Sequence, residues 1–476
     1  MESKLLELLT SVEHITNDSR RVKQGSLFLA YPGERFDGRE FIQDAIHQGA
    51  LIIFYEALNF ELKKNFSIPV LPVLNLKKQL PTIACKFFKD PSRDLKVIGI
   101  TGTNGKSTVA GLIDQLLTFL NQSSATIGTL GYGTQKEFFE LSNTTPDAIK
   151  LQEIFHKFKQ EKINYVSMEV SSHAIDQDRI SGIHFDTKVL TNVTRDHLDY
   201  HHSLENYQKI KGSFFEETSS KKILNLDDEM GISIHKKLQQ NKNVITYGIK
   251  NIKADLNVTR IVIKAMTEIS LNYLNKTYSF NFPLWGEHNI YNLLASLGAL
   301  LAQNYDLKDV ILHISKLKTI EGRFEVLHKN QKGQPQVIVD YAHTPDALEN
   351  ILKTLKVFKS KSIILIFGCG GDRDQGKRSE MAKVAKVYAD YIIVTSDNPR
   401  FEDPKKIIKD ITDHLESNFI EIENRELAIN KGIEMMNEDS ILLIAGKGHE
   451  KYQDINGIKS YFSDKDTVLK KIGKKS

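Results

Sequence analysis

The chain of 476 residues is 26% charged and 40% hydrophobic, which is ordinary for a globular enzyme, and its length predicts about three domains of ~150 residues each. With 64 basic and 60 acidic residues the formal net charge is only +4, so nothing favours binding to nucleic acid or to a membrane surface. Cys85 and Cys369 match no metal-binding spacing, and neither a signal peptide nor an apolar run of ~20 residues is recognisable, so we expect a protein of the reducing cytoplasm without membrane insertion.

Residues 1–92 are predicted to form a first domain. Strand-like runs at Ser26–Ala30, Ala50–Tyr55 and Val70–Leu74 lie among helical segments. The region ends at Asp90-Pro91-Ser92, a turn that contains proline and precedes a new apolar strand. We therefore place the first domain boundary at residue 92.

A glycine loop between a strand and a helix opens the next region. Val97–Ile100 is an apolar run, and Ser107–Leu120 carries apolar residues at helical spacing. The loop between them reads Gly-Thr-Asn-Gly-Lys-Ser-Thr, and the backbone N–H groups of such a loop and helix N-terminus bind phosphate. Lys106 would add a positive charge, and Ser107 or Thr108 would add a hydroxyl for Mg²⁺. Ile100 stands where the commonest form of this motif has glycine, and a plain glycine turn is the alternative.

Residues 93–324 are predicted to form a second domain around a parallel sheet. The apolar runs Tyr165–Val170 and Lys188–Val193 each open into a polar loop and alternate with helical segments, which is typical of parallel strands with crossover helices. Glu268–Leu274 and Thr277–Leu284, joined at Asn275-Lys276, are instead predicted to form an antiparallel hairpin at the sheet edge.

Three polar loops of this region could carry chemistry, and each has an alternative. Glu169 lies near the end of a strand and could hold Mg²⁺, or it could be a capping or buried, hydrogen-bonded acid. The segment Thr191–His201 contains two Asp and two His within seven residues, which could ligate a metal, serve in acid–base chemistry or cap a helix through Asp196 and Asp199. The segment Asn143–Asp147 could anchor a substrate or could simply begin a helix.

Residues 325–476 are predicted to form a third domain, again α/β. Four strands each end in a charged loop; they are Gln336–Val339, Ser362–Phe367, Tyr391–Thr395 and Ser440–Ala445. Two of these loops carry Arg373 and Arg400, which can bind carboxylates in a bidentate fashion. Because ligands of open α/β sheets bind beyond the carboxyl ends of the strands, we expect a pocket for a polar, zwitterionic small molecule.

Taken in order, these motifs resemble those of the Mur ligase family, and more narrowly its MurE type. The motifs are Gly-Thr-Asn-Gly-Lys-Ser-Thr (102–108), Met-Glu-Val-Ser-Ser-His (168–173), Thr-Arg-Asp-His-Leu-Asp-Tyr-His (194–201), Gly-Glu-His-Asn-Ile-Tyr-Asn (286–292), Gly-Arg-Phe-Glu (322–325) and Asp-Tyr-Ala-His-Thr-Pro-Asp-Ala (340–347). The resemblance implies a three-domain α/β architecture: a UDP-MurNAc-binding domain over 1–92, a central P-loop ATPase sheet over 93–324 and a Rossmann-like, amino-acid-binding domain over 325–476.

The resemblance also implies a reaction, an ATP-dependent and ADP-forming ligation in cytoplasmic peptidoglycan precursor synthesis. ATP would phosphorylate the D-Glu γ-carboxylate of UDP-N-acetylmuramoyl-L-alanyl-D-glutamate, and the amine of an incoming amino acid would attack the acyl phosphate. The implied catalytic residues are Lys106, Glu169, His197 and Lys211. The implied Mg²⁺ ligands are Ser107, Glu169, His197 and Lys211, the last as an N6-carboxylysine made with carbon dioxide. From the residues alone, Lys211 is one of many surface lysines.

Three binding sites follow from the resemblance, residue by residue. Those implied for ATP are Gly102, Thr103, Asn104, Gly105, Lys106, Ser107, Thr108, Asn289, Arg323 and Asp340. Those implied for the UDP-MurNAc-dipeptide are Asn17, Ser19, Glu34, Arg35, Phe36, Asn143, Thr144, Thr145, Ser171, Gln177 and Arg179. Those implied for the amino acid are Arg373, Asp397, Asn398, Pro399, Arg400, Gly446 and Glu450.

The amino acid is predicted to be meso-2,6-diaminopimelate. Asp397-Asn398-Pro399-Arg400 resembles the signature of the diaminopimelate-adding enzymes, whereas lysine-adding relatives lack this arginine. Diaminopimelate has a second carboxylate that lysine lacks, and an arginine fork left unpaired would penalise lysine. Glu450 would face the distal ammonium.

Other functions remain as alternatives. They are a ligase of the same type that adds L-lysine, a folylpolyglutamate synthetase-like ligase, a P-loop switch or motor, and an inactive scaffold. A folylpolyglutamate synthetase-like ligase would not be expected to carry Asp397–Arg400. A P-loop switch or motor would give no function to the charged loops after residue 325. We expect a monomer because no helix-zipper pattern is present.

Overall fold

A computed structural model describes residues 7–33, 36–62, 65–238, 243–264, 266–329, 335–358 and 361–473. Glu34 and Arg35, two of the predicted UDP-MurNAc-dipeptide contacts, lie outside the described residues. The chain divides into two compact units, Met1–Gly99 with Gln122–Asp186 and Ile100–Asn121 with Thr187–Ser476. In the described ranges no helix is long and apolar enough to span a membrane.

The strands and helices follow one another along the whole chain and are numbered in that order. The strands are β1 (His14–Thr16), β2 (Ser26–Ala30), β3 (Ala50–Glu56), β4 (Val70–Val73), β5 (Lys96–Thr101), β6 (Ser124–Gly128), β7 (Gly131–Gly133), β8 (Phe138–Phe139), β9 (Tyr165–Glu169), β10 (Thr187–Leu190), β11 (Lys221–Asn225), β12 (Val244–Gly248), β13 (Leu256–Val262), β14 (Thr267–Tyr273), β15 (Lys276–Phe282), β16 (Glu325–Lys329), β17 (Pro335–Asp340), β18 (Ser362–Phe367), β19 (Tyr391–Val394), β20 (Phe419–Glu421), β21 (Ser440–Ala445), β22 (Tyr452–Ile455) and β23 (Ile458–Tyr461). The α-helices are α1 (Ile42–His47), α2 (Leu76–Phe88), α3 (Lys106–Phe119), α4 (Ala148–Gln160), α5 (Ser172–Asp176), α6 (Leu198–His201), α7 (Leu204–Ser213), α8 (Glu229–Lys237), α9 (Glu287–Ala302), α10 (Leu307–Ile311), α11 (Pro345–Leu355), α12 (Gly376–Tyr388), α13 (Pro404–Thr412), α14 (Arg425–Met435) and α15 (Asp464–Ile472).

The first unit begins with a parallel sheet in the order β1-β2-β3-β4. Alternate residues of β2 and β3 point to opposite faces, and both faces are covered. Leu27 and Phe54 pack into one apolar cluster with residues of α2, and Phe28 and Ile53 pack into another with residues of α1. The strands predicted from Ser26, Ala50 and Val70 are thereby confirmed.

The remaining strands of the first unit place two polar residues predicted to bind ligands. β9 pairs in parallel with β6, and β6, β7 and β8 pair in antiparallel order. Glu169 is the last residue of β9, and Thr145 lies three residues before the start of α4. Both are therefore at strand or helix ends, where backbone groups are available to ligands.

The second unit holds a parallel run, β10-β11-β12-β13, which continues into the antiparallel strands β14 and β15. Helix α9 packs against β10, β11 and β12 and against α3, and leucines of both helices are fully buried. The predicted edge hairpin is confirmed by the antiparallel pairing of β14 with β15. Its turn lies at Leu274-Asn275, one residue earlier than predicted, since both residues adopt a left-handed conformation.

A second sheet of this unit has the order β16-β17-β21-β18-β19-β20, parallel except for β16. Alternate residues of β18 enter two apolar clusters. Leu365 packs with residues of α11, α12 and α13, and Ile366 packs with residues of α14 and α15. Helices thus cover both faces, and the four strands predicted after residue 325 are confirmed. A small antiparallel hairpin of β22 and β23, which we did not predict, follows β21.

Candidate active site

The glycine loop lies between β5 and α3, and two of its glycines are required by geometry. Gly102 has φ +148° and Gly105 has φ +89°. A Cβ atom on Gly102 would collide with the Thr191 hydroxyl, and one on Gly105 would collide with the side-chain oxygen of Asn292. A side chain at either position would therefore force its neighbours to move and would strain the backbone, and α3 begins directly after Gly105 with its N–H groups facing the loop.

The end of β10 holds this loop through a set of hydrogen bonds. The Thr103 N–H donates to the Asn192 carbonyl at 2.7 Å, and the Asn104 N–H donates to the Asn192 side-chain oxygen at 3.0 Å. The Thr191 hydroxyl donates to the Asn104 carbonyl at 2.7 Å. The loop is thus held in shape by protein partners rather than by a ligand, as preorganised phosphate sites are.

Charged and polar side chains converge on the loop. The Lys106 ammonium donates to the carbonyls of Gly102 at 2.8 Å and Thr103 at 2.9 Å. Arg323 donates from Nη2 to the Ser107 hydroxyl at 2.9 Å, and its Nε–H is buried without a hydrogen-bond partner among the described residues. A buried, unsatisfied guanidinium N–H beside a phosphate cradle is a ready donor for an anionic ligand.

Asp340 and Asn289 also belong to this region of the second unit. The Asp340 carboxylate accepts the N–H groups of Phe324 and Ala342, both at 2.6 Å, and burial raises its pKa to about 6 despite the opposing charge of Arg323. Asn289 is buried, and its side-chain oxygen accepts a hydrogen bond from Asn292 at 3.2 Å. Asn292 was not among the predicted residues, although it belongs to the 286–292 motif that includes Asn289.

Lys211 is a buried residue, and its interpretation as a surface lysine is wrong. Its side chain on α7 is 1% exposed, and Nζ donates to the Gly102 carbonyl at 2.9 Å and contacts the Thr101 hydroxyl at 3.3 Å. Burial and the nearby charge of Lys106 hold the pKa of Lys211 well below its usual value, although Asp196 opposes this. The helical spacing of α7 carries no signal for this burial, because α7 is short and largely polar.

Asp196 lies at the centre of a second cluster beside the glycine loop. Its carboxylate accepts from the Lys377 ammonium at 3.1 Å and from the His197 N–H at 2.9 Å, and the His197 imidazole lies 3.4 Å away. Although burial opposes the effect, the positive charges of His197, Lys377 and His343 hold the pKa of Asp196 below its usual value. Asp196 does not cap a helix, since α6 begins after His197 without a side-chain cap.

In the first unit, Glu169 is a buried acid with local partners. It is 2% exposed, and its two carboxylate oxygens accept from the Thr129 N–H at 2.9 Å and the Thr129 hydroxyl at 3.1 Å. The Thr145 hydroxyl donates to the Glu169 carbonyl at 2.8 Å and accepts from the Ser171 N–H at 3.0 Å. Both remaining interpretations, a metal ligand and a hydrogen-bonded acid, are compatible with this arrangement.

A cavity of about 180 Å³ lies in the first unit beside these residues. It is lined by Tyr31, Lys77, Leu80, Pro81, Asn143, Asp147, Ala148, Gln177, Asp178 and Arg179. Asp147 caps α4 by accepting the N–H groups of Ile149 and Lys150, so this segment both begins a helix and lines the cavity.

Some of the other residues predicted to bind the UDP-MurNAc-dipeptide lie at this cavity, and others lie away from it. The Asn17 side chain donates to the Tyr31 hydroxyl at 2.9 Å, and Arg179 donates to the Thr145 carbonyl at 3.0 Å. Thr144 contacts the Thr129 hydroxyl at 3.0 Å. Ser19 begins a turn of 3-10 helix, and Phe36 is 72% exposed. Tyr31 and Lys77 were missed by the sequence analysis, because neither belongs to a recognisable motif.

The predicted amino-acid site is assembled from loops after β18, β19 and β21. Asn398 is almost fully buried, and its side chain donates to the Glu450 carboxylate at 2.8 Å and accepts from the Lys447 ammonium at 3.0 Å. Lys447 is fully buried and lies 2.9 Å from the same Glu450 oxygen. Glu450, predicted to face a ligand ammonium, therefore already has a cationic partner, which the sequence analysis missed.

Arg400 and its neighbours are closely held. Arg400 donates from Nη1 to the Gly371 carbonyl at 2.7 Å, and it follows Pro399 in a left-handed conformation. Gly446 has φ +116°, and a Cβ atom there would lie 2.6 Å from an Asp397 carboxylate oxygen. Gly446 thus allows the backbone to pass close to Asp397.

Arg373 lies on the loop after β18 and is more open. Its side chain is 48% exposed, with Nη1 at 3.7 Å from the Asp199 carboxylate. Its neighbour Asp374 pairs with Arg195 through two contacts of 3.1 and 3.2 Å, and Arg195 also reaches Glu380 at 2.9 Å. The second unit therefore brings the 194–199 segment against the loop that carries Arg373.

No group of three or more His, Cys, Asp or Glu side chains that could hold a metal is found among the described residues. The predicted Mg²⁺ ligands are instead a hydroxyl, a carboxylate, an imidazole and a modified lysine. A set in which most donor atoms are oxygen suits a hard divalent cation that also binds phosphate oxygens.

Three family models match successive parts of the chain. "Mur ligase family, catalytic domain" matches residues 11–88, "Mur ligase middle domain" matches 100–300, and "Mur ligase, glutamate ligase domain" matches 322–448. A UDP-N-acetylmuramoyl-L-alanyl-D-glutamate--2,6-diaminopimelate ligase from Coxiella burnetii is 37% identical over 481 residues, covering 99% of this chain and 98% of that protein.

Solved structures agree with these matches. A structure of a UDP-N-acetylmuramoyl-L-alanyl-D-glutamate--2,6-diaminopimelate ligase matches with a TM-score of 0.68 at 33% identity, over 98% of this chain and 95% of that one. A MurF ligase from Thermotoga maritima in complex with ADP matches with a TM-score of 0.70 at 19% identity, over 99% and 100% of the two chains, which shows a shared fold.

Proposed function

The chain belongs to the Mur ligase family and has its three-domain architecture, and from this premise we propose that it adds meso-2,6-diaminopimelate to UDP-N-acetylmuramoyl-L-alanyl-D-glutamate. The reaction is an amide-bond ligation driven by ATP, which leaves ADP and phosphate. The names of its relatives describe this ligase activity, and we place the reaction in peptidoglycan precursor synthesis. We propose the boundaries 1–92, 93–324 and 325–476 for the three domains.

The glycine loop and the groups around it would bind the triphosphate of ATP. Backbone N–H groups of 102–108 and the N-terminus of α3 supply donors, and Lys106 supplies charge. The unsatisfied Nε–H of Arg323 is a further donor. Because phosphoryl transfer needs little covalent help from a protein, positioning and neutralisation of charge by these groups would supply most of the catalysis.

Mur ligases use ATP with Mg²⁺, and the donor set of this chain fits such an ion. Ser107, Glu169, His197 and a carbamylated Lys211 would hold it, and the ion would neutralise charge on the transferring phosphoryl group. The burial and lowered pKa of Lys211 support its modification, since only a neutral amine adds carbon dioxide.

The cavity of the first unit would hold part of the nucleotide-sugar dipeptide. Asn143, Gln177 and Arg179 line it, and Arg179 suits an anionic group of this substrate. Lys77 lines the same cavity and would add a second positive charge. Thr145 and Ser171, hydrogen-bonded to each other, would position the peptide end.

The single observation that carries the choice of amino acid is the set of contacts around Arg400. Its guanidinium is held by the Gly371 carbonyl, and the same loop carries Asn398, which contacts Glu450, and Asp397, which lies against Gly446. The remaining N–H groups of the guanidinium can donate to the second carboxylate of meso-diaminopimelate, which lysine lacks. We propose a cytoplasmic monomer whose ligands are small molecules.

An ATP-dependent ligation assay tests this function. Purified full-length protein is incubated with ATP, Mg²⁺ and UDP-N-acetylmuramoyl-L-alanyl-D-glutamate, and with meso-diaminopimelate, L-lysine or L-glutamate in turn. We expect ADP release and a tripeptide product with meso-diaminopimelate and at least about 10²-fold lower kcat/KM with L-lysine.

The other candidate functions give different results in the same assay. Equal use of lysine and diaminopimelate would contradict the specificity. Ligation of glutamate to a folate, with no product from the nucleotide-sugar dipeptide, would indicate a folylpolyglutamate synthetase-like enzyme. ATP turnover that is independent of any peptide substrate would indicate a switch or motor.

A further inference from the structure

The backbone of Arg400 is held by the β22–β23 hairpin, which lies beyond the part of the chain matched by the family models. The Arg400 N–H donates to the Asp454 carbonyl at 3.0 Å, and the Arg400 carbonyl accepts from the Asn456 N–H at 2.7 Å. Arg400 itself has φ +52°, a conformation that costs a non-glycine residue free energy. The two hairpin hydrogen bonds offset that cost and fix the direction in which the side chain leaves the loop.

A second connection runs through Asn398. Its side-chain oxygen accepts from both the Lys447 ammonium and the Asp454 N–H, each at 3.0 Å. Its amide nitrogen donates to Glu450 at 2.8 Å. Both lone pairs of the oxygen are therefore used within the protein, and one amide N–H is left for a ligand. Asn398 thus links the loop of Arg400 to the hairpin and to the loop of Glu450.

Lys447 and Gln453 make the remaining contacts of this set, and neither side chain is fully exposed to solvent. Lys447 is 0% exposed, and its ammonium donates to the side chains of Asn398 and Glu450 and lies 5.4 Å from the ring centroid of Tyr452 on β22. The Gln453 amide donates to the Asp397 carbonyl at 2.8 Å. The residues on both sides of Pro399 are therefore attached to β22, whereas the opposite strand β23 is exposed.

We propose that β22 and the turn that follows it, together with Lys447, form a specificity-determining element that positions the Arg400 guanidinium for the second carboxylate of the amino-acid substrate. Gln453 and Lys447 are positioning residues in this scheme, because they act through Asp397, Asn398 and Arg400. The inference rests on the proposed function, since it concerns the amino acid that this site selects. Loosening the loop would cost binding of a substrate that uses the arginine and would spare one that does not.

The test compares the Gln453→Met and Lys447→Met variants of the full-length enzyme with the wild type. The amino acid is varied at saturating ATP and nucleotide-sugar dipeptide. Since one net hydrogen bond is worth about a fivefold change in an equilibrium constant, we expect the KM for meso-diaminopimelate to rise about fivefold or more. The ratio of kcat/KM for meso-diaminopimelate to that for L-lysine should fall by a similar factor. The KM for ATP should stay within about twofold of the wild-type value.

Lys459→Met on β23 is the matched control. Lys459 lies on the same hairpin with its ammonium 4.2 Å from the Tyr452 ring centroid, and the described residues include no hydrogen bond from it to the 397–400 loop. We expect its KM values and selectivity to equal those of the wild type. If Lys447→Met fails to fold because Glu450 loses its cationic partner, the result for Gln453→Met, a change at a half-buried residue, decides the test alone.

Two results would overturn the inference while leaving the proposed function intact. One is an unchanged KM for meso-diaminopimelate and an unchanged selectivity in the folded Gln453→Met variant. The other is a parallel rise in the KM for ATP and for the amino acid, which indicates general damage rather than positioning. A wild-type enzyme that ligates neither diamino acid would instead contradict the proposed function, and the inference with it.

Discussion

At the scale of single residues, Lys211 illustrates how burial changes the chemistry of a common side chain. An exposed lysine is a hydrated cation, whereas the amine of Lys211 sits among the carbonyl of Gly102, the hydroxyl of Thr101 and the charge of Lys106. Desolvation and a like charge both disfavour the ammonium form, so the pKa falls. A neutral amine next to the phosphate loop is what the proposed carbamate requires.

Replacement of this amine should abolish activity. We expect Lys211→Ala to lower kcat by at least about 10²-fold, because the carbamate that would help to hold Mg²⁺ beside the transferring phosphoryl group can no longer form. Bicarbonate or a short carboxylic acid should restore part of the rate. Lys209→Ala, an exposed lysine on the same helix, serves as the control and should keep wild-type kcat in the ligation assay. Full activity of Lys211→Ala would contradict its proposed role.

Arg400 gives a second residue-scale prediction. We expect Arg400→Ala to lower kcat/KM for meso-diaminopimelate by about 10²-fold, since a charge-assisted bidentate contact is lost, while the Kd for ATP remains unchanged. Steady-state kinetics and ATP titration provide the two measurements. Arg260→Ala, which removes an exposed arginine on β13, should change neither. An equal loss with lysine as substrate would show that the arginine does not read the second carboxylate.

At the scale of elements, the junction of β5 and α3 depends on backbone conformation more than on side chains. Gly105 is left-handed and lies against Asn292 of α9, which in turn contacts Asn289. The loop is therefore shaped by a helix nearly two hundred residues away as well as by its own glycines. Its strand and helix are predictable from local apolar spacing, but this contact with α9 is not.

A methyl group at Gly105 should disturb this junction. For Gly105→Ala we expect the KM for ATP to rise about tenfold, since a left-handed alanine costs about 1–2 kcal/mol and the new Cβ displaces Asn292. Gly212→Ala on α7 is a suitable comparison, because a Cβ there would lie 3.5 Å from Met230, an ordinary contact. That variant should keep its KM for ATP. A normal KM in Gly105→Ala would mean that the loop can relax.

At the scale of the whole molecule, the second unit joins residues from both the predicted central and C-terminal domains. Asn104 of the glycine loop donates to Asp346 at 2.9 Å, and Arg195 pairs with Asp374. Lys377 reaches Asp196 beside His197. These contacts connect the glycine loop and the 194–199 segment with the loop of Arg373, so we expect binding of the amino acid and of ATP to be energetically coupled.

A double-mutant cycle on Arg195 and Asp374 measures how much this ion pair contributes to use of the amino acid. We expect Arg195→Met and Asp374→Asn each to lower kcat/KM for the amino acid. The loss of kcat/KM in the double variant should be about fivefold smaller than the product of the two single losses, because both substitutions remove the same bidentate contact. Lys386→Met, which breaks the exposed pair with Glu416, should have no effect on kcat/KM. Strictly multiplicative losses would mean that the contact does not act in catalysis.

The amino-acid sequence by itself determined many of the strands, the glycine loop and the motifs that place the chain in its family. Each of these is local: apolar spacing reports which face of a segment is buried, and glycine reports a backbone that no other residue can adopt. Only the tertiary structure decided that Lys211 is buried and that Lys447 neutralises Glu450. It also decided that a hairpin after residue 451 holds Arg400. The reason is that burial and charge pairing depend on residues distant in the sequence, whose approach no local pattern encodes.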